Sequence, residues 1–205
     1  RKESSAASDV YKRQVFFYEE DGATTGKSSI SNQDFFTKLG KLIISSLNDY
    51  TDEGIVFRVD MRLRPFGSQG LLVSPLESFE NYLITHGLDW ERYAWLKSRV
   101  VLGPSLIIDA LIEPFVYRKY LDFNIFESLR NIKKKISQDM LKKINDGDIK
   151  VGRGGIRTLE FIVQSFQLVW GGKDKPLRCR GFIEALTQLK NKKLIPNMTY
   201  KSLHE

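Results

Sequence analysis

From Ile55 to Leu63 apolar and polar positions alternate. Ile55, Phe57, Val59, Met61 and Leu63 share one face, and Val56, Arg58, Asp60 and Arg62 share the other. Side chains that alternate this way predict a half-buried strand. Pro65 cannot donate to a ladder, so the strand should stop there and Phe66 to Gly70 should form a loop. Upstream, the short apolar run Val15 to Tyr18 predicts another strand, closed by a turn at Glu19-Glu20-Asp21-Gly22. Asp21 to Ile30 is rich in Gly, Thr and Ser and predicts a surface loop; Gly22, Thr24, Thr25, Gly26 and Lys27 lack P-loop spacing. Between the two strands the pattern changes to helical spacing, at Phe35, Phe36, Leu39, Leu42, Ile43 and Leu47. Ser31 is placed to cap that helix, with Asp34 three residues on. Strand, helix, strand is an α/β unit.

Downstream the pattern is helical. Ser74-Pro75-Leu76-Glu77 predicts a helix start, with Phe79, Tyr82 and Leu83 as its buried stripe and Gly87 as its end. A helix from Asp89 carries Trp90, Tyr93, Ala94 and Leu96. Lys97 and Arg99 near its end suit the helix dipole or face a phosphate. After Gly103-Pro104 the stretch Ser105 to Arg118 is helical, ended or kinked at Glu113-Pro114. Asp122 or Asn124 caps a long helix with Ile125, Phe126, Leu129, Ile132, Ile136, Met140 and Ile144 on one side, stopped at Asn145-Asp146-Gly147-Asp148. Two more helices are predicted, from Arg157 to Trp170 and from Phe182 to Lys190.

Two places invite chemistry. Asp60 stands between Arg58 and Arg62 on the polar face of the predicted strand, with Arg64 close behind. Either this is a surface charge ladder, or it is a metal-binding carboxylate with guanidinium forks for phosphate. The stretch Gly152-Arg153-Gly154-Gly155 offers close backbone approach. Either it is a tight interdomain turn, or the N–H groups entering the next helix cradle an anion.

Composition narrows the classes. The chain has 205 residues, enough for one good-sized domain or two small ones. No apolar run reaches the ~18 residues that a membrane span needs, and no signal-peptide core follows the charged start. A single cysteine, Cys179, excludes an internal disulfide framework and fits a reducing compartment. Two histidines, His86 and His204, are too few for a His-based metal site, which leaves carboxylates and a hard cation such as Mg²⁺. The net charge of +7 suits nucleotide or phosphate as well as nucleic acid. Much of the excess lies in Lys133-Lys134-Lys135, Lys142-Lys143 and 190–193, which read as solvated helix faces, so no nucleic-acid partner is expected.

Two longer runs carry a family resemblance. Asp60 to Val73, DMRLRPFGSQGLLV, and Ile149 to Gly172, IKVGRGGIRTLEFIVQSFQLVWGG, resemble two signatures, in the same order, of the bacterial glutamine synthetase adenylyltransferase/adenylyl-removing enzymes. Asp89-Trp90-Glu91-Arg92-Tyr93-Ala94 resembles the N-terminal, adenylyl-removing unit of that family. The resemblance implies an α/β (α+β) nucleotidyltransferase-fold core over 15–121, truncated at its start, then the start of a mainly helical domain over 122–205. Residues 1–14 are expected to be a non-native segment.

The resemblance also implies the chemistry. Asp60 would be a Mg²⁺ ligand, catalytic together with Arg62 and Arg64. Arg58, Lys150, Gly152, Gly154 and Gly155 would hold ATP, ADP or inorganic phosphate. The reaction would be phosphorolysis of a tyrosyl-AMP ester on glutamine synthetase, in the cytoplasm, with a PII signalling protein as regulator and no membrane partner. In the family an Asp-x-Asp pair precedes the first strand; here Tyr11 and Arg13 hold those positions, so the chain alone is expected to be silent. The rival classes are a non-catalytic basic binding module and another nucleotidyltransferase such as a PII uridylyltransferase. The runs Asp60–Val73 and Gly152–Glu160 argue against the second.

Overall fold

The computed structural model describes residues 13–120, 124–142, 149–150, 152 and 154–204. Of the segment 1–14, only Arg13 and Gln14 are therefore described. The chain forms two compact units, Arg1–His86 and Gly87–Glu205. The architecture is mostly helical, with a two-stranded parallel sheet among the described residues.

In the first unit β1 (Phe16–Tyr18) pairs in parallel with β2 (Val73–Pro75), Phe17 opposite Ser74. Helix α1 (Asn32–Asn48) lies between them in sequence. Its cap is the expected one: the Ser31 hydroxyl accepts from the Asp34 N–H at 3.0 Å. Gly40 is one of the residues of α1 that meet the sheet. A methyl group there would sit 3.0 Å from a Val73 methyl and 3.2 Å from the Phe16 ring, so these side chains would have to give way by a few tenths of an ångström. Gln33 adds a polar tie, donating to the Val73 carbonyl at 3.0 Å. Phe17 packs on Phe79 of α2 (Leu76–Thr85) with ring centroids 4.3 Å apart.

Two expectations for this unit fail. Residues 55–63 do not form a strand; among the described residues they make a single bridge, Arg13 to Asp60. The backbone donors go elsewhere: Phe57 N–H bonds the Leu47 carbonyl at 2.8 Å, and Val59 N–H bonds the Asn48 side chain at 3.2 Å. The end of α1 thus occupies groups that a ladder would need. The alternation still sorts the faces, since Met61 is buried while Val56, Arg58 and Arg62 are exposed. Ser74 does not cap a helix. It is a buried strand residue, and α2 begins after Pro75.

The second unit contains α3 (Asp89–Trp95), α4 (Ser105–Val116), α5 (Asn124–Lys142), α6 (Ile156–Trp170), α7 (Phe182–Asn191) and α8 (Asn197–His204). The boundary at His86 comes earlier than the expected 121, because α3 and α4 join the second unit. Arg92, buried on α3, donates to the Val116 carbonyl at the end of α4 (3.1 Å), and Asp89 bonds Ser128 on α5. Around α7 the core is Val163, Leu177, Ala185, Leu186, Leu189 and Ile195. The predicted stop of the long helix, at 145–148, lies outside the described residues. α8 is not among the predicted elements.

Candidate functional site

An open depression of ≈ 890 Å³ in the first unit is lined by the end of α1 (Asn48, Asp49, Tyr50) and by residues around Asp60, including Arg58 and Arg62. Its centre is an ion pair. Arg62 grips Asp60 with two parallel bonds, Nε to Oδ1 at 2.9 Å and Nη2 to Oδ2 at 2.8 Å. The Arg62 backbone N–H adds a third bond to Oδ1 at 3.1 Å. These bonds, with the nearby charge of Arg13, hold the Asp60 carboxyl down at about 2. The same pairing raises the Arg62 guanidinium above its ordinary value. The Asp60 side chain is 10% exposed and that of Arg62 is 78% exposed, so the outer edge of the guanidinium faces solvent.

Arg64 sits differently. Nε donates to the Gly70 carbonyl at 3.2 Å, Nη1 to Met61 at 2.9 Å and Nη2 to Ser68 at 3.1 Å. It closes the turn 61–70 from inside. Gly70 is needed in that turn because a methyl group there would fall 1.8 Å from the Pro65 carbonyl oxygen. Phe66 takes a left-handed backbone (φ 59°), with its ring against Tyr82 at 4.9 Å.

A divalent cation does not fit Asp60 as the described residues stand. Both carboxylate oxygens already accept from Arg62, and Arg13 is the cross-bridge neighbour. Among the described residues no group of three His, Cys, Asp or Glu side chains is placed to hold a metal ion. A hard cation needs several oxygen ligands, and a guanidinium on the Asp60 carboxylate opposes it. The Asp60 position expected for a Mg²⁺ ligand is thus taken by an internal cation.

The glycine-rich stretch belongs to the second unit. Its turn is closed by backbone bonds, Gly155 N–H to the Gly152 carbonyl, Ile156 N–H to Ile149 and Arg157 N–H to Lys150, at 3.0, 3.0 and 3.1 Å. The helix-entry amides expected to cradle an anion are therefore engaged by carbonyls among the described residues. Gly155 is required by crowding, since a Cβ would lie 2.7 Å from the Ile149 oxygen. Gly154 takes φ +72° and Lys150 is exposed. Lys97 pairs with Glu160 of α6, an acid partner in place of the alternative phosphate.

The structure thus groups Arg58, Asp60 and Arg62 in one depression, gives Arg64 to the adjoining turn, and puts Lys150, Gly152, Gly154 and Gly155 in the other unit. Two charged neighbours of the centre were not among the expected site residues. Arg13 was legible, because it holds one of the two positions preceding the first strand. Asp49 was not, since as a helix-end residue it carries no signal of lining the same depression as Asp60.

Comparison with known proteins agrees with the reading of Asp60–Val73, whereas the run Gly152–Glu160, expected to argue against a uridylyltransferase, falls inside a match to that family's model. Residues 3–109 match the family model for glutamate-ammonia ligase adenylyltransferase, a match that takes in part of the 1–14 segment. Residues 130–205 match the model for GlnD PII-uridylyltransferase. The chain is 46% identical over 195 residues to the bifunctional glutamine synthetase adenylyltransferase/adenylyl-removing enzyme of Nitrosomonas eutropha, covering 93% of this chain and 21% of that protein. It is 49% identical over 175 residues to the enzyme of the same name from Neisseria meningitidis serogroup B, covering 85% and 20%. For that of Psychromonas ingrahamii the identity is 45% over 206 residues, covering 98% and 22%. The chain therefore spans about a fifth of the length of these relatives.

Proposed function

The chain belongs to the glutamate-ammonia ligase adenylyltransferase family, and from that premise we propose that it is part of an enzyme that removes AMP from adenylylated glutamine synthetase. Inorganic phosphate attacks the phosphorus of the tyrosyl-AMP ester. The bond from phosphorus to the tyrosyl oxygen breaks, ADP leaves, and the tyrosyl oxygen takes a proton. Negative charge develops on the phosphoryl oxygens, and guanidiniums aimed at them lower the barrier. Arg62 and Arg58 are the residues of this chain suited to that task. Arg64 contributes by holding the shape of the turn.

The observation that carries this reading is the DMRLRPFGSQGLLV run folded around the Asp60–Arg62 pair beside an open depression. The removing rather than the adding role is supported by Asp89-Trp90-Glu91-Arg92-Tyr93-Ala94. In the longer enzyme the reaction would use Mg²⁺ and ATP or ADP, with the metal held elsewhere than at Asp60 as it stands in this chain. A cytoplasmic site is supported by the single cysteine. Among the described residues, no helix is long and apolar enough to cross a membrane.

The test uses a longer protein that contains this segment. Arg62→Ala should abolish phosphate-dependent ADP formation from adenylylated glutamine synthetase and leave AMP addition from ATP intact. Loss of addition with removal preserved would assign the segment to the opposite half-reaction. A regulatory role for 130–205 is favoured by its match to the uridylyltransferase model. In this second reading, those helices respond to a PII-type protein. Deleting that region should then abolish any effect of added PII on the rate of ADP formation.

A further inference from the structure

We propose that the Asp60 centre of this chain is an oxyanion site rather than a divalent-cation site, with Asp60 as the positioning residue that aims Arg62. The ligand class is a phosphate group, free or carried by a nucleotide. The inference does not depend on the direction of the half-reaction proposed above.

The geometry gives three reasons. First, the inner edge of Arg62 is fixed by Asp60 through Nε and Nη2. A guanidinium has five N–H donors, so three remain on the outer, exposed edge. A long side chain that would otherwise sample many rotamers is thereby held in one, which lowers the entropy lost on binding. Second, the charges near the depression favour an anion. Arg58 and Arg62 line it together with Asp49 and Asp60, Arg13 is bridged to Asp60, and Asp60 is already matched by Arg62, which leaves two cations and one carboxylate. Third, among the described residues Arg58 makes no ion pair, and a planar fork suits a tetrahedral oxyanion. A cation entering here would have to displace Arg62 or share its carboxylate with it.

The position of Arg13 supplies a direct test. It lies opposite Asp60 in the parallel bridge, so Arg13→Asp would set a second carboxylate beside the first. Calorimetry on the 205-residue chain would be run with phosphate, ADP, adenosine and MnCl₂, and free Mn²⁺ would also be followed by electron paramagnetic resonance. Phosphate and ADP should bind with similar constants and adenosine should not bind, whereas Mn²⁺ should stay free. Arg58→Ala or Arg62→Ala should weaken phosphate by about tenfold, as for loss of a charge-assisted bond. Asp60→Asn is the decisive variant. If Asp60 positions Arg62, phosphate binding falls; if it merely repels anions, binding rises. Arg13→Asp should lose phosphate and gain Mn²⁺.

Four results would overturn the proposal. One is Mn²⁺ binding by the unaltered chain that disappears in Asp60→Asn. Another is phosphate binding that is absent, or unchanged by both arginine variants. The third is tighter phosphate binding by Asp60→Asn, with circular dichroism showing the fold retained. A preference for ADP over phosphate, with adenosine binding alone, would locate recognition in a base pocket and would also refute it. None of these measurements uses glutamine synthetase, so they fail or succeed separately from the activity assay.

Discussion

Arg64 lies two residues after Arg62 in the family signature, yet its guanidinium makes three hydrogen bonds to the backbone of its own turn. Replacing it by alanine removes three charge-assisted hydrogen bonds to carbonyls. Such bonds contribute about 1.5–3 kcal/mol each in buried settings. Arg64 is half-buried and the Ser68 bond is exposed, so water replaces part of what is lost. Discounting the lower end of that range for this exposure leaves about 1 kcal/mol per bond, about 3 kcal/mol for the turn. Lysine keeps the charge but has no planar fork to span Met61, Ser68 and Gly70, so Arg64→Lys should lose most of the same stability. The assay is amide exchange of a peptide covering 61–70. The Gly67 N–H to Arg64 and Gly70 N–H to Gly67 bonds report opening of the turn. At about 1.4 kcal/mol per factor of ten, exchange should speed up about a hundredfold in Arg64→Ala. Unchanged exchange, together with lost ADP formation in the longer protein, would refute the reasoning and put Arg64 on the substrate.

The Asp60 carboxyl is lowered from 3.8 to about 2 on folding, so its pair with Arg62 adds stability that is complete above the unfolded value and is lost as pH falls through about 2. Acid titration of the first unit, followed by tyrosine signals, should show an acid limb that Asp60→Asn removes; identical limbs would contradict the pairing. Gln167, buried on α6, donates to the Leu177 and Cys179 carbonyls at 2.7 Å each. Gln167→Leu strands both and should cost about 2–4 kcal/mol. All three tryptophans, Trp90, Trp95 and Trp170, lie in the second unit, so urea unfolding followed by tryptophan fluorescence reads it selectively. Gly155→Ala forces a methyl to 2.7 Å from the Ile149 oxygen and should lower the same transition by about 1–3 kcal/mol; an unaltered midpoint would show that the turn relaxes freely.

The helices were the most readable part of this chain, because apolar spacing is a local signal. Phe79 and Leu83 are buried where the stripe put them, and Ser31 caps α1 as its spacing to Asp34 implies. Residues 55–63 show the limit. Alternation determines which side chains turn inward, but a ladder needs a partner, and here Leu47 and Asn48 supply the hydrogen bonds instead. No local pattern encodes that competition. Ser74-Pro75-Leu76-Glu77 has the composition of a helix start, but parallel pairing with a segment more than fifty residues earlier sets the outcome at Ser74. α8 has a thin apolar stripe and a mostly polar sequence, so periodicity missed it. At the site, Asp60 and Arg62 were legible as neighbours on one face, but their mutual grip was not. The role of Arg64 was hidden because backbone carbonyls leave no trace in the residue letters.

Gly40 is remote in sequence from Asp60 and is absent from the lining of the depression. It nevertheless fixes the seat of α1 on the sheet, and the far end of α1 holds Phe57 and Val59 through Leu47 and Asn48. The helix therefore works as a rigid lever between the sheet and the carboxylate. A methyl at position 40 would tilt one end of that lever by a few tenths of an ångström and carry the displacement to the other. Substitutions that touch no ligand can thus retune where Arg62 points, and a search for variants with altered phosphate affinity should include the sheet-facing side of α1.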